Sequence, residues 1–275
     1  MRSRFQLFSA CQLAILMVLQ TPAVRAGDIQ GTVTDYVTNK AIPGVAVNLL
    51  AAGGKNALNT TSDANGIYKF ADVLEGMRTV KFDKVNYTPR PDPEQINVQA
   101  GGNNLDVQLM AETNNVQYYQ LAGERYLALA KQAGGNREDY ITQWDHLRRF
   151  TISPKHKVEL AKTVQQKDQN NAMAVPGLAQ YRELDLDNLE RLQARFVKAV
   201  EGRQDIPSKA TVNEFRIREE PLVDMVLYAV HSSKTTAANK SKFVNKFTEA
   251  WGNTEVGEKL QESYQKNTGS RRRPQ

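Results

Sequence analysis

Two periodicities divide the chain. Up to about residue 112, apolar residues fall at every second position: Ile29/Gly31/Val33, Val45/Val47/Leu49, Tyr68/Phe70, Val80/Phe82, Ile96/Val98 and Leu105/Val107/Leu109. The positions between them are mostly polar, as at Asn48, Lys69, Lys81, Asn97, Asp106 and Gln108. Period two with one polar face predicts half-buried antiparallel strands. Turn residues separate them: Pro43-Gly44, Gly53-Gly54, Asn65-Gly66, Glu75-Gly76, Pro89 to Pro93, and Gly101-Gly102-Asn103-Asn104. About seven short strands in residues 27 to 112 fit a β-sandwich.

From Thr113 the period becomes helical. Val116, Tyr119, Leu121, Tyr126 and Leu129 trace a first helix that Gly134-Gly135 ends, and Tyr140, Ile141, Trp144, Leu147 and Phe150 trace a second. Ser153-Pro154 supplies an N-cap and a first helical position for a third, which runs towards Lys167. Asn170 to Gly177 reads as a loop, and Leu178, Tyr181, Leu189, Leu192, Phe196 and Val200 as one long amphipathic helix closed by Gly202. Beyond Pro207-Ser208 come one or two helices to about Ser232, with Pro221 starting a new one. Phe243, Val244, Phe247, Trp251, Val256, Leu260 and Tyr264 belong to one or two more. The predicted class is α+β: an N-terminal all-β sandwich followed by an all-α helical domain over residues 113–267. The tail 268–275, with Arg271, Arg272 and Arg273, reads as disordered.

The first 26 residues belong to neither pattern. Arg2 and Arg4 precede the apolar run Leu13 to Leu19, Pro22 breaks it, and small residues flank Arg25. This is the layout of a cleaved secretory signal, with an apolar run too short to span a bilayer. Phe8-Ser9-Ala10-Cys11 faintly resembles a lipoprotein box, but the apolar run follows Cys11 instead of preceding it. The expectation is an exported protein, periplasmic or secreted, whose mature chain starts at Gly27. Such a chain would have lost Cys11, the sole cysteine, and with it any disulfide or thiol chemistry. That leans towards a bacterial envelope.

Charge changes the picture modestly. The whole chain carries +6 at pH 7. Residues 27 to 112 hold 7 basic and 10 acidic residues, and residues 113 to 275 hold 26 and 20. Half of the excess in the second part is the arginine tail. Solvated helix faces account for this, with weak contact to an anionic membrane surface or acidic polysaccharide as the functional alternative. Nucleic acid is disfavoured, because an exported chain without a groove-reading motif has no means of reading it.

Specific motifs stand within the strand region. Gly31-x-Val33-x-Asp35, Ala41-Ile42-Pro43-Gly44-Val45-x-Val47 and Thr61-x-Asp63-x-Asn65-Gly66-x-Tyr68-x-Phe70 occur in that order. Together they resemble the carboxypeptidase regulatory-like domain over most of residues 27 to 112. The resemblance implies a transthyretin-like sandwich with no peptidase site. Arg78 departs from the pattern, since the family usually has an aromatic two residues after the glycine that stands here at Gly76. The residues agree with the resemblance on physical grounds. Gly66 takes positive φ freely, Asn65 tolerates it, and Asp63 can cap backbone N–H groups two residues along. Pro43 presets φ and Gly44 frees it. Read as a calcium loop, Asp63, Asn65 and Gly66 would need an acid where Thr61 stands and a bidentate Glu where Asp72 stands. A plain turn is the better reading.

Candidate chemistry is sparse. His146, His156 and His231 are the only histidines, and none has the spacing of a metal motif. Asp145-His146 are adjacent and diverge on a helix. Glu183, Asp185, Asp187 and Glu190 fit a solvated helix face. Tyr118, Tyr119, Tyr126, Trp144 and Trp251 fit a core. No catalytic, metal or cofactor residue is assigned, and neither metal nor cofactor is expected. The favoured function is non-enzymatic binding or scaffolding in the envelope, with an envelope protein or polysaccharide as partner. Loop residues Lys55, Asn56, Tyr87 and Arg90 are its candidate contacts. Two alternatives remain. A carbohydrate-binding module would expose Tyr87 beside Tyr36. An enzyme would gather His146 or His231 with carboxylates from other helices. The sequence leaves oligomeric state open.

Overall fold

A computed structural model describes residues 26–50, 56–88, 93–150, 152–252 and 254–268. Among the described residues, eight strands in two sheets precede ten helices. The first sheet holds β1 (Ala26–Asp35), β4 (Ile67–Leu74), β7 (Gly101–Asn104) and β8 (Val107–Leu109). The second holds β2 (Ala46–Leu50), β3 (Asn56–Thr61), β5 (Gly76–Asp83) and β6 (Glu94–Val98), in the order β3-β2-β5-β6. Alternation delivers the core as expected. Ile29, Val33, Val47, Leu49, Tyr68, Phe70, Val80, Phe82, Val98, Val107 and Leu109 bury between the sheets.

The turns follow their side chains. Asp63 Oδ1 accepts the Asn65 and Ile67 N–H groups, both at 2.8 Å, so the carboxylate is spent on the hairpin. Gly66 has φ +74°, and a side chain there would strike the Val33 carbonyl. Arg78 replaces an aromatic by capping a turn: its guanidinium donates to the Leu74, Glu75 and Met77 carbonyls.

Three strand-region expectations change. The sheet is mixed, because β1 pairs antiparallel with β4 but parallel with β7 and β8. Gly101 to Asn104 is a strand and not a turn. Asn103 holds it there, with its amide donating to the Asp28, Gln99 and Gly101 carbonyls and accepting from Gln99 N–H. The close approach needs Gly31, whose absent Cβ would lie 2.0 Å from the Leu105 carbonyl oxygen. At Asn65-Gly66, only the glycine uses positive φ.

The helices are α1 (Val116–Ala133), α2 (Arg137–Arg148), α3 (Pro154–Lys167), α4 (Gln169–Ala174), α5 (Pro176–Tyr181), α6 (Leu186–Val200), α7 (Lys209–Glu214), α8 (Glu219–Ser232), α9 (Ala237–Trp251) and α10 (Glu255–Thr268). Ser153 caps α3 by accepting the His156 N–H, and Pro154 occupies its first turn. The predicted loop at 170–177 is instead α4 and the start of α5, begun by the Asp168 side chain and by Pro176. The predicted long helix from Leu178 breaks before Asp185, which caps α6 through the Asp187 and Asn188 N–H groups. A carboxylate aimed at N–H groups favours a new helix start over continuation. Helix α10 includes Thr268, one residue into the predicted tail. Arg271 to Arg273, the predicted signal and Cys11 lie outside the described residues.

The two parts share packing. Tyr36 and Met110 leave the sandwich to join the helical core. The Tyr36 ring lies 5.1 Å from Phe150, with the Arg125 guanidinium 4.8 Å from its centre. Asp35 ties the joint: Oδ1 accepts from Val37 N–H, Thr38 N–H and the Thr38 hydroxyl, and Oδ2 from the Tyr118 hydroxyl at 3.1 Å. The Tyr118 oxygen in turn accepts the Ala111 N–H at 2.8 Å.

Candidate functional site

The predicted contact loops are only partly described. Lys55 and Arg90 lie outside the described residues, and Asn56 opens β3. Tyr87 is half-buried against the sandwich core, and its neighbour Thr88 is buried. Tyr36 is 2% exposed, so Tyr87 and Tyr36 form no exposed aromatic pair. That lowers the carbohydrate reading, which exposure of the pair would have raised.

The three histidines sit on three different helices, α2, α3 and α8. His146 is exposed beside Phe150. His231 sits near Lys240 and Lys81, and burial followed by these cations holds its pKa down to about 4. His156 stacks on Tyr119 with ring centres 4.7 Å apart, and burial followed by Lys155 brings it to about 4. Its Nδ1 is buried without a hydrogen-bond partner. The carboxylates have structural tasks: Glu190 pairs with Lys155 at 2.8 Å, Glu183 with Arg182 at 3.1 Å, and Asp185 caps α6. Asp187, in the first turn of α6, is exposed. Among the described residues no group of three His, Cys, Asp or Glu could hold a metal ion. No described helix is long and apolar enough to cross a membrane.

A charged cluster missed by the sequence reading lies inside the helical part. Lys157 of α3 is 2% exposed and donates to Asp224 Oδ2 of α8, which also accepts the Tyr181 hydroxyl of α5. Arg148 of α2 reaches Glu220 of α8 at 3.2 Å, and the Trp144 indole N–H donates to the same carboxylate at 3.5 Å. Burial pushes the Lys157 pKa down against the opposing pull of Asp224, and pushes Tyr181 well up. Gly177 makes room, because a Cβ there would come within 2.3 Å of a Glu220 oxygen. The cluster joins four helices. Its signal was available: Lys157, Leu160, Ala161 and Val164 fall at helical spacing, which puts Lys157 on the core face.

A second missed feature is a groove of about 490 Å³. Its floor is Val200 and Phe243, and its walls carry Arg203, Asp205, Lys242 and Lys246. It arises because Gly202, at φ +73°, turns the chain off α6 and lays residues 203–206 opposite α9.

The described residues thus form a small β-sandwich bonded to a helical unit with a basic groove. The family model of the carboxypeptidase regulatory-like domain matches residues 28–110, bearing out the resemblance carried by Gly31, Asp63 and Gly66. The helices lie outside that match. No curated protein matches the chain. Among solved structures, the major pilin subunit BcpA of Bacillus cereus is 19% identical, covering 32% of this chain and 30% of that one at a TM-score of 0.29. The group B streptococcus pilus 2b backbone protein is 20% identical, covering 32% and 42% at 0.30. A proposed carbohydrate binding protein from Bacteroides uniformis is 19% identical, covering 32% and 42% at 0.26. The chain therefore spans less than half the length of each.

Proposed function

We propose that this is an exported, non-enzymatic protein of the cell envelope, a scaffold in which the sandwich is a mount for the helical part. The joint at Asp35, Tyr36 and Met110 carries this reading. A carboxylate 5% exposed, bonded across the joint to Tyr118, and two apolar residues placed in the neighbouring core hold the halves in one arrangement. Fixed presentation is what a scaffold needs, and loops on a rigid frame are where such proteins make contacts. The chemistry supports this: burial holds His156 and His231 neutral, and Lys157 is committed to Asp224 inside the helical part.

The test is co-sedimentation of the full chain with envelope polysaccharide and with membrane fractions, at low and high salt. Retention by either fraction is expected. Loss of retention when Tyr118→Phe and Asp35→Asn loosen the joint would tie binding to the fixed arrangement. A chain retained by neither fraction would overturn the reading.

A further inference from the structure

The groove between the α6–α7 link and α9 is the feature on which the observations converge. Lys242 and Lys246 stand one turn apart on the exposed side of α9, and among the described residues neither forms an ion pair or hydrogen bond. Like charges at this spacing repel. Arg203 faces them from the opposite wall, with only its Nε engaged by Glu201, at 3.3 Å. Asp205 is the single acid on the lining. The apolar floor of Val200 and Phe243 is a low-dielectric wall, which concentrates the cations' field in the concavity.

We propose that this groove binds a segment of acidic polysaccharide, a sugar chain bearing carboxylate or phosphate groups. The proposal deepens the envelope-binding reading and rests on it. Three cations around a concavity match repeated negative charges along an extended ligand, and a volume near 490 Å³ suits a short run of sugar rings. Two amides add hydroxyl recognition. Asn239 donates to Thr235 and Gln204 to the Arg195 carbonyl, so each side-chain carbonyl oxygen is left to accept a sugar hydroxyl. The shape disfavours a membrane surface. A flat bilayer cannot enter a concavity, and among the described residues no exposed large apolar side chain lines the groove to insert into it.

The test uses the purified full chain and a fluorescent galacturonic acid hexasaccharide, with a neutral galactose hexasaccharide and phosphatidylglycerol-containing vesicles as comparisons. Binding of the acidic sugar alone is expected, weakening as salt rises. Lys242→Glu with Lys246→Glu should weaken it about tenfold or more, since each exposed cation contributes a few-fold. Lys131→Glu on α1, outside the groove, should leave it unchanged. Arg203→Ala gives an independent second variant, and far-ultraviolet circular dichroism verifies that each variant is folded. Equal binding by the double variant, equal binding of the neutral sugar, or preference for vesicles would overturn the groove assignment. If the double variant binds the acidic sugar as well as wild type and still co-sediments with envelope fractions, the broader envelope reading stands while the groove falls. A wild-type chain that binds the sugar but no envelope fraction does the reverse.

Discussion

His156 offers a direct measure of how tightly the joint between sandwich and helices is sealed. It is the third residue of α3, 7% exposed, stacked on Tyr119, with Nδ1 unpartnered. Tyr119 in turn donates to the Thr113 carbonyl at 3.0 Å, on the link between the two parts. Burial, then Lys155, lowers the His156 pKa from 6.5 to about 4, and the positive end of α3 acts in the same sense. Because the folded pKa is depressed, the unfolded chain binds the proton more readily between these values. Stability is therefore complete above about pH 6.5 and is lost as pH falls towards 4. At about 1.4 kcal/mol per pH unit, His156 alone should cost roughly 2 kcal/mol by pH 5 and roughly 3 by pH 4. His231, also held at about 4, should add a similar loss. Urea unfolding of wild type and His156→Phe, followed by circular dichroism at neutral and mildly acid pH, measures the difference. The phenylalanine removes an unpartnered buried nitrogen, so neutral-pH stability should hold or rise by about 1 kcal/mol. The acid-linked loss should fall by about half. If His156→Phe loses as much stability on acidification as wild type, His156 is hydrated and the sealed joint is wrong.

Other consequences are as concrete. Lys157→Met should cost about 3–5 kcal/mol by leaving Asp224 buried with only Tyr181, and adding Asp224→Leu should recover at least half of it in the same unfolding assay. Gly31→Ala should destabilise by about 2–3 kcal/mol, because its Cβ would collide with the Leu105 carbonyl; a fall in melting temperature, with amide exchange accelerated in β7 and β8, would show it. Tyr118→Phe removes both the bond to Asp35 and the acceptor for Ala111 N–H, at about 1–3 kcal/mol, and should speed exchange of the Ala111 amide while β5 stays protected.

The legible parts of the fold were those encoded locally. Alternation found the core strands, Asp63 and Gly66 marked the hairpin, and Ser153-Pro154 marked the start of α3, because each rests on neighbours in sequence. Strand β7 was illegible because Gly-Gly-Asn-Asn has no apolar period; it is held by Asn103 and by a glycine on β1, more than 70 residues earlier. Helix α4 is six residues, too short for a period to register, and α5 was legible only as the front of one long helix with α6. The charge cluster joins Lys157 to a partner 67 positions away, so only its position on the core face could be read beforehand. The groove follows from how one glycine turn meets a distant helix, and the loop residues chosen for contact did not point to it.

The parallel pairing of β1 with β7 and β8 has a mechanical consequence. Ala26 lies at one end of β1, and β8 ends at Leu109 alongside Asp35, at the other. Tension between the start of the sandwich and the helices would thus run along the strands and load these bonds in shear. They would have to fail together, not peel one at a time. Asp106 Oδ1, accepting Thr32 N–H at 2.8 Å, and the Leu105 N–H, donating to the Gln30 carbonyl, fill the gap between the two strand pairs and carry part of the same load. A protein mounted in an envelope and pulled from outside would meet that force with its strongest axis.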